Sequence, residues 1–75
     1  LASLPRISGE QAIRALERLG FVAVRQRGSH VILKKETEAG AVGCSVPLHK
    51  ELAAGTLRGI LKLAKISTAE FLEKL

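Results

Sequence analysis

Phe21-Val22-Ala23-Val24-Arg25-Gln26-Arg27-Gly28-Ser29-His30-Val31-Ile32-Leu33-Lys34-Lys35 is the stretch on which the fold turns. Phe21 to Gln26 and Ser29 to Lys35 read as two strand-like segments, each able to set apolar residues on one face at a period of two. Two such segments with a glycine between them predict an antiparallel hairpin. With Arg27-Gly28 as its turn, Val24 faces Val31 and Val22 faces Leu33 on one apolar face. Arg25 then faces His30, and Ala23 faces Ile32, on the other. That turn asks Arg27 for a positive φ, which a side chain bearing a Cβ disfavours. A bulge at Gly28 is the alternative and shifts the pairing.

Upstream, Leu1 to Ile7 is expected to be an extended lead-in. Ser8 followed by Gln11 forms a capping-box signature. A helix with Ala12, Ile13, Ala15, Leu16 and Leu19 at helical spacing follows, ended by Gly20 as its C′ residue. Downstream, Glu36 to Gly40 reads as a polar loop. Val42, Cys44 and Val46 alternate as a third strand that Pro47 stops. Leu48 to Gly55 is a connector. A second helix starts near Gly55 or Thr56 and carries Leu57, Ile60, Leu61 and Ala64 on one face. Ser67-Thr68-Ala69-Glu70 is another capping box, with Ile66 and Phe71 placed as a hydrophobic staple. A short last helix then bears Phe71, Leu72 and Leu75. The order α-β-β-β-α-α predicts an α+β fold. A three-stranded antiparallel sheet is covered by helices on one face, leaving Arg25, His30 and Lys34 on the open one.

Seventy-five residues suffice for one domain, residues 1–75, and a chain this short buries only about 60% of its unfolded surface. Leu1 is not an initiator methionine, so residues upstream of it are expected to have been removed. No charged segment followed by an apolar one marks a signal peptide. No apolar run approaches the ~20 residues of a membrane span, so no membrane partner is expected. The single cysteine cannot form an internal disulfide, which favours a reducing cytoplasm. Between Val42 and Val46, Cys44 reads as a small core residue rather than a thiolate nucleophile.

Twelve Lys and Arg stand against seven Glu, with no Asp. Four of the cations lie between Arg25 and Lys35, with no acid among them. Such a face suits nucleic acid or another polyanion. The same cations also serve as an ordinary solvated strand surface. Histidine is the side chain that takes and gives protons near neutrality. His30 on a hairpin among Arg25, Arg27, Lys34 and Lys35 therefore points to a small nuclease more than to a passive scaffold. Its bland alternative is a surface histidine that only hydrogen-bonds or touches phosphate.

Several short motifs, in this order and spacing, resemble the HicA family of bacterial toxin endoribonucleases. They are Leu19-Gly20-Phe21, Gly28-Ser29-His30, Val46-Pro47-Leu48-His49, Glu51-Leu52, Gly55-Thr56-Leu57-Arg58-Gly59-Ile60-Leu61, and Ile66-Ser67-Thr68-Ala69-Glu70-Phe71-Leu72. The resemblance implies a double-stranded-RNA-binding-domain-like fold and cleavage of mRNA without a metal or other cofactor. It implies His30 as the active histidine and a HicB-like antitoxin protein as partner. The loop Glu36 to Gly40 is a departure, carrying two acids where the family varies; it touches none of the motifs.

In such a reaction the RNA 2′-hydroxyl is the nucleophile, an imidazole removes its proton, and cations stabilise charge on the phosphate. Arg25, Arg27 and Lys34 are the candidate phosphate contacts, with Lys34 on the parity of His30 and Lys35 on the opposite face. Ser29 either donates to phosphate or serves the turn. His49 follows Pro47 in a connector and reads as a loop histidine that positions Leu48 to Gly55, leaving the leaving-group acid unassigned. No aromatic platform stacks bases, since Phe21 and Phe71 read as core, so weak sequence specificity is expected. Two histidines and one cysteine lack zinc-site spacing. The alternatives are a non-catalytic RNA-binding module of the same fold and a toxin-like domain that has lost activity. A helix-turn-helix DNA binder over Thr56 to Leu75 ranks low, because its second helix presents Glu70 and Glu73.

Overall fold

The computed structural model describes residues 3–75; the first two residues of the expected lead-in lie outside the described residues. Residues 3–8 carry no regular structure, and Ile7 is buried. Helix α1 spans Gly9–Arg18 and begins with the expected capping box, in which Gln11 N–H donates to the Ser8 hydroxyl and Ser8 N–H donates to the Gln11 side chain. It ends as Gly20 predicts. Gly20, at φ +100, donates to Glu17, and Phe21 N–H reaches back to Leu16. These are the two bonds of a Schellman cap, and they need the left-handed backbone that glycine takes without strain.

Strands β1 (Val22–Arg27), β2 (His30–Thr37) and β3 (Gly40–Pro47) form an antiparallel sheet in the order β1-β2-β3. The first turn is Gly28-Ser29, not Arg27-Gly28: Arg27 pairs with His30. Gly28 takes the positive φ, +59, that the other register would have asked of Arg27. Positive φ at the first of two turn residues is the type II′ pattern, whose twist matches the strands. Gln26 Nε2 closes it further by donating to the Gly28 carbonyl at 3.0 Å.

That shift moves every pair. Gln26 faces Val31, Arg25 faces Ile32, Ala23 faces Leu33 and Val22 faces Lys34, with Val24 the extra residue of a bulge. Facing residues share a side of the sheet. Ala23 therefore lies on the side of buried Leu33, and Val22 on the side of Lys34, the reverse of their expected sides. Val22 and Val24 are 61% and 52% exposed, not core. The bulge explains the misreading, because one added residue inverts the alternation on which the sequence pattern rests.

The polar loop expected over Glu36 to Gly40 shrinks to Glu38-Ala39, since β2 runs to Thr37 and β3 begins at Gly40. Gly40 adopts φ +116, and the Thr37 hydroxyl bonds its carbonyl. In β3, Cys44 and Val46 are buried and Val42 packs partly against the core, as the alternation predicts.

Helix α2 (Ala54–Ala64) starts a residue or two before the expected position and buries Leu57, Ile60, Leu61 and Ala64. Lys65 caps it in the left-handed region, φ 57. Helix α3 (Thr68–Glu73) opens with the expected Ser67/Glu70 capping box and buries Phe71. The helices pack on the side of the sheet bearing Val31, Leu33, Cys44 and Val46, all buried. Phe21 and Phe71 belong to the same core. The opposite side of β2 presents His30 and Lys34 exposed and Ile32 half-buried.

Candidate nucleic-acid interface

His30 opens the central strand, immediately after the Gly28-Ser29 turn. Its neighbours across the sheet are Arg27 on β1 and Pro47 on β3. The shifted register thus sets Arg27, not Arg25, directly opposite the imidazole. Arg25 lies one step along, opposite Ile32, and Lys34 lies further down β2 on the same side. All four side chains are exposed. Lys35 points the other way, as its parity predicts, with Nζ 5.8 Å from the centre of the Phe21 ring. It is a packed cation on the helical side and not part of this face.

The end of the hairpin is held rigidly. Leu48 N–H donates to the Ser29 carbonyl at 2.7 Å, which ties the turn to the end of β3. Gly9, the first residue of α1, donates to the His49 carbonyl at 2.9 Å. A Cβ at Gly9 would stand 2.1 Å from the Pro47 oxygen, so α1 abuts the chain there as only glycine permits. Leu52 N–H donates to Ile7 at 2.7 Å, and Arg6 lies 3.8 Å from Glu51, so the lead-in pins the connector. Ser29 therefore serves the turn through its backbone, while its side chain stays exposed beside His30.

The rest of the open side is plain. Val22, Val24, Lys34, Glu36 and Ala41, together with Gly20 and Lys35 from beyond the β1 edge, line a broad shallow trough at the far end from His30. On β3 this side carries Ala41, Gly43 and Ser45, opposite Glu36, Lys34 and Ile32. Their small side chains leave His30 and the cations standing above the sheet. Cys44 is buried on the other side, and burial pushes its thiol up to about 11. At neutral pH it is a protonated core group, as expected, and not a nucleophile. Among the described residues, no three His, Cys, Asp or Glu side chains gather as a metal-ligand set. No helix among them is long and apolar enough to cross a membrane.

Sequence reasoning found His30, Arg25 and Lys34 on the open side because each sits on a consistent strand parity. It chose the wrong arginine as partner of His30, because the turn closes at Gly28-Ser29 and not at Arg27-Gly28. It read His49 as a loop histidine that nothing in the sequence brings to His30; the structure ties Leu48, the residue before it, to the hairpin turn through the Ser29 carbonyl.

No curated protein sequence matches this chain. One family model does, described as the HicA toxin of bacterial toxin–antitoxin systems, over residues 9–66. The matched span runs from the first residue of α1 to just past α2 and includes every residue of the basic face. It stops before α3, so the final capping box and Phe71 lie outside it. With most of its length in that match, this chain belongs to the HicA toxin family.

Proposed function

We propose that this chain is an mRNA-cleaving endoribonuclease, the toxin of a type II toxin–antitoxin pair, with His30 as its general acid/base. The observation that carries the reading is the register at the hairpin: an exposed imidazole on the central strand with Arg27 opposite it and Arg25 and Lys34 on the same side. RNA lying along this side meets cations at its phosphates and an imidazole at one ribose. His30 takes the 2′-hydroxyl proton, and the adjacent guanidinium stabilises the charge that builds on the phosphate. Arg25, Arg27, Lys34 and the Ser29 side chain hold the strand. The reaction runs in the cytoplasm without a metal, and a HicB-like antitoxin is the restraining partner.

The non-catalytic RNA-binding alternative uses the same cations but has no need of His30. The test is cleavage of RNA by the purified wild type beside His30→Ala. A loss of about 10²- to 10⁴-fold is the size expected when a general acid/base is removed, with RNA binding retained. Equal rates for the two proteins would dismiss the assignment. Wild-type RNA binding with no cleavage by either would favour the binding module. Activity lost in EDTA and restored by a divalent ion would replace this chemistry with a metal-dependent one.

A further inference from the structure

We propose that His49 is the second histidine of this reaction, the general acid that protonates the leaving 5′ oxygen. The inference rests on the reading of His30 as the base and assigns the step that reading leaves open.

The backbone at the end of β3 carries the placement. His30 faces Pro47 across the sheet. One rung further, Leu48 N–H bonds the Ser29 carbonyl. The Pro47 and His49 carbonyls both turn outward to Gly9, one in tight contact and the other as a hydrogen-bond acceptor. Outward, inward, outward is the alternation of an extended strand, so residues 47–49 prolong β3 past its formal end. Residues two apart on a strand share a side. His49 accordingly leaves the chain on the side of Pro47 and His30, as a diagonal neighbour of His30. Such neighbours have Cα atoms about 7–8 Å apart, within reach of long and aromatic side chains. A phosphodiester between two imidazoles at that spacing meets a base at its 2′ side and an acid at its 5′ side.

His49 is exposed and lines a shallow cleft of about 240 Å³ with Ser8, Glu10, Leu48 and Lys50. Its carbonyl, not its imidazole, does the structural work at Gly9. The imidazole is therefore free for chemistry on a main chain held at Leu48 and at Gly9.

The step balances with two histidines and no other reactant. His30 enters neutral and takes the proton of the 2′-hydroxyl. The 2′ oxygen forms a bond to phosphorus as the bond from phosphorus to the 5′ oxygen breaks. His49 enters protonated and delivers its proton to that departing oxygen. The products are a 2′,3′-cyclic phosphate and a 5′-hydroxyl; His30 ends protonated and His49 neutral, and exchange with water resets both. The charged and titratable groups around the pair are Glu10 from α1, Lys50 from the connector, and Arg27 from β1, with the Ser8 hydroxyl beside them.

The experiment compares wild type, His30→Ala, His49→Ala and His49→Asn on an oligoribonucleotide whose cleavage position has been mapped with the wild type. A second substrate carries sulfur in place of the 5′-bridging oxygen at that position. A thiolate leaves without a proton, so loss of the acid is repaired by the sulfur and loss of the base is not. Both His49 variants should cleave the oxygen substrate about 10²- to 10⁴-fold more slowly and recover to within about tenfold of wild type on the sulfur substrate. His30→Ala should stay slow on both substrates. Wild-type rates for the His49 variants on the oxygen substrate would overturn the proposal. Equal impairment on both substrates would also overturn it, leaving His49 a role in binding or positioning. His30→Ala at the wild-type rate would instead remove the underlying reading of His30. The asparagine variant preserves polar bulk, and melting curves on both His49 variants separate a folding defect from a chemical one.

Discussion

Gly9 has no room for a methyl group. The space its Cβ would fill is 2.1 Å from the Pro47 oxygen, and the next atoms met are also backbone. Gly9→Ala must push α1 away from the end of β3. Forced overpacking of this kind costs about 1–3 kcal/mol. The same shift displaces residues 47–49 from the hairpin, so RNA cleavage should fall by more than the fraction of protein unfolded. Thermal melting and cleavage rates on one preparation measure both. Gly28→Ala is a different change. A Cβ there meets open space, so only the left-handed φ of +59 resists it. About 1–2 kcal/mol of stability is the expected loss, without a steric clash. Cys44 supplies a third check at this scale. Burial holds its thiol up at about 11 from an ordinary value of 9.0. The unfolded chain ionises first, so this thiol's contribution to stability is full below pH ~9 and declines as pH rises toward 11. Alkylating reagents at pH 8 should label it only after denaturant is added, and rapid labelling of folded protein would contradict the burial.

At the scale of elements, β1 is the unusual strand: all six of its residues are exposed, at a sheet edge, with a bulge at Val24. Bulges and charges blunt an edge against pairing with another chain. The hairpin register sets the two arginines of this strand on the open side. Arg25→Ala, Arg27→Ala and Lys34→Ala should each weaken RNA binding and flatten its salt dependence. Each lost phosphate contact lowers the slope of log K against log salt by about 0.7 for a single strand. Arg27→Ala should in addition slow cleavage of bound RNA, because it stands opposite His30. Unchanged slopes in all three would mean that RNA approaches another surface. The capping box of α3 gives a pH test. Glu70 accepts from Ser67 N–H, the Ser67 hydroxyl accepts from Glu70 N–H, and those bonds hold the carboxyl below its usual range. A depressed carboxyl stabilises above its unfolded value, about 4.5, and that support fades as pH falls through the folded one. Acid should therefore loosen α3, seen as faster amide exchange around Phe71, and Glu70→Gln should remove this pH dependence.

The whole molecule rests on a small core to which every element but the exposed edge strand β1 contributes buried side chains. Leu16, Leu33, Val46, Leu57 and Phe71 are its largest fully buried side chains. A domain of this length has a total stability of only about 4–11 kcal/mol. Leu57→Ala, at about 2–5 kcal/mol, should consume much of it, and urea melts would show the shift. At the same scale, an antitoxin that restrains this chain is expected to cover the open side of the sheet and to compete with RNA. A partner with acidic side chains would dock there quickly through charge complementarity. Hydrogen exchange on the complex should show protection around the Gly28-Ser29 turn and along β1. Protection confined to α1 and α2, with His30 left accessible, would contradict direct masking.

Local chemistry was legible in this chain wherever a signal spans only a few residues. Both serine capping boxes, the glycine stop at Gly20, the apolar stripe of α2 and the alternation of β3 all lie within one or two turns or rungs. Propensity and hydrogen-bond geometry decide them before any tertiary contact forms. The order of elements and the parity of His30 and Lys34 followed from the same signals. Three things waited for the tertiary structure. The turn at Gly28-Ser29 set which arginine faces His30, and the bulge at Val24 set the sides of Val22 and Ala23; both are decided by what the neighbouring strand and core accept. The loop at Glu38-Ala39 closed to two residues because β2 and β3 pair to their ends, which a run of polar residues conceals. The end of β3 met the hairpin turn through the bond from Leu48 to Ser29, and α1 through the bond from Gly9 to His49, contacts between residues 19 and 40 positions apart in the chain. No pattern in a linear sequence encodes such a meeting, because it depends on how a helix end, a turn and a strand end pack against one another.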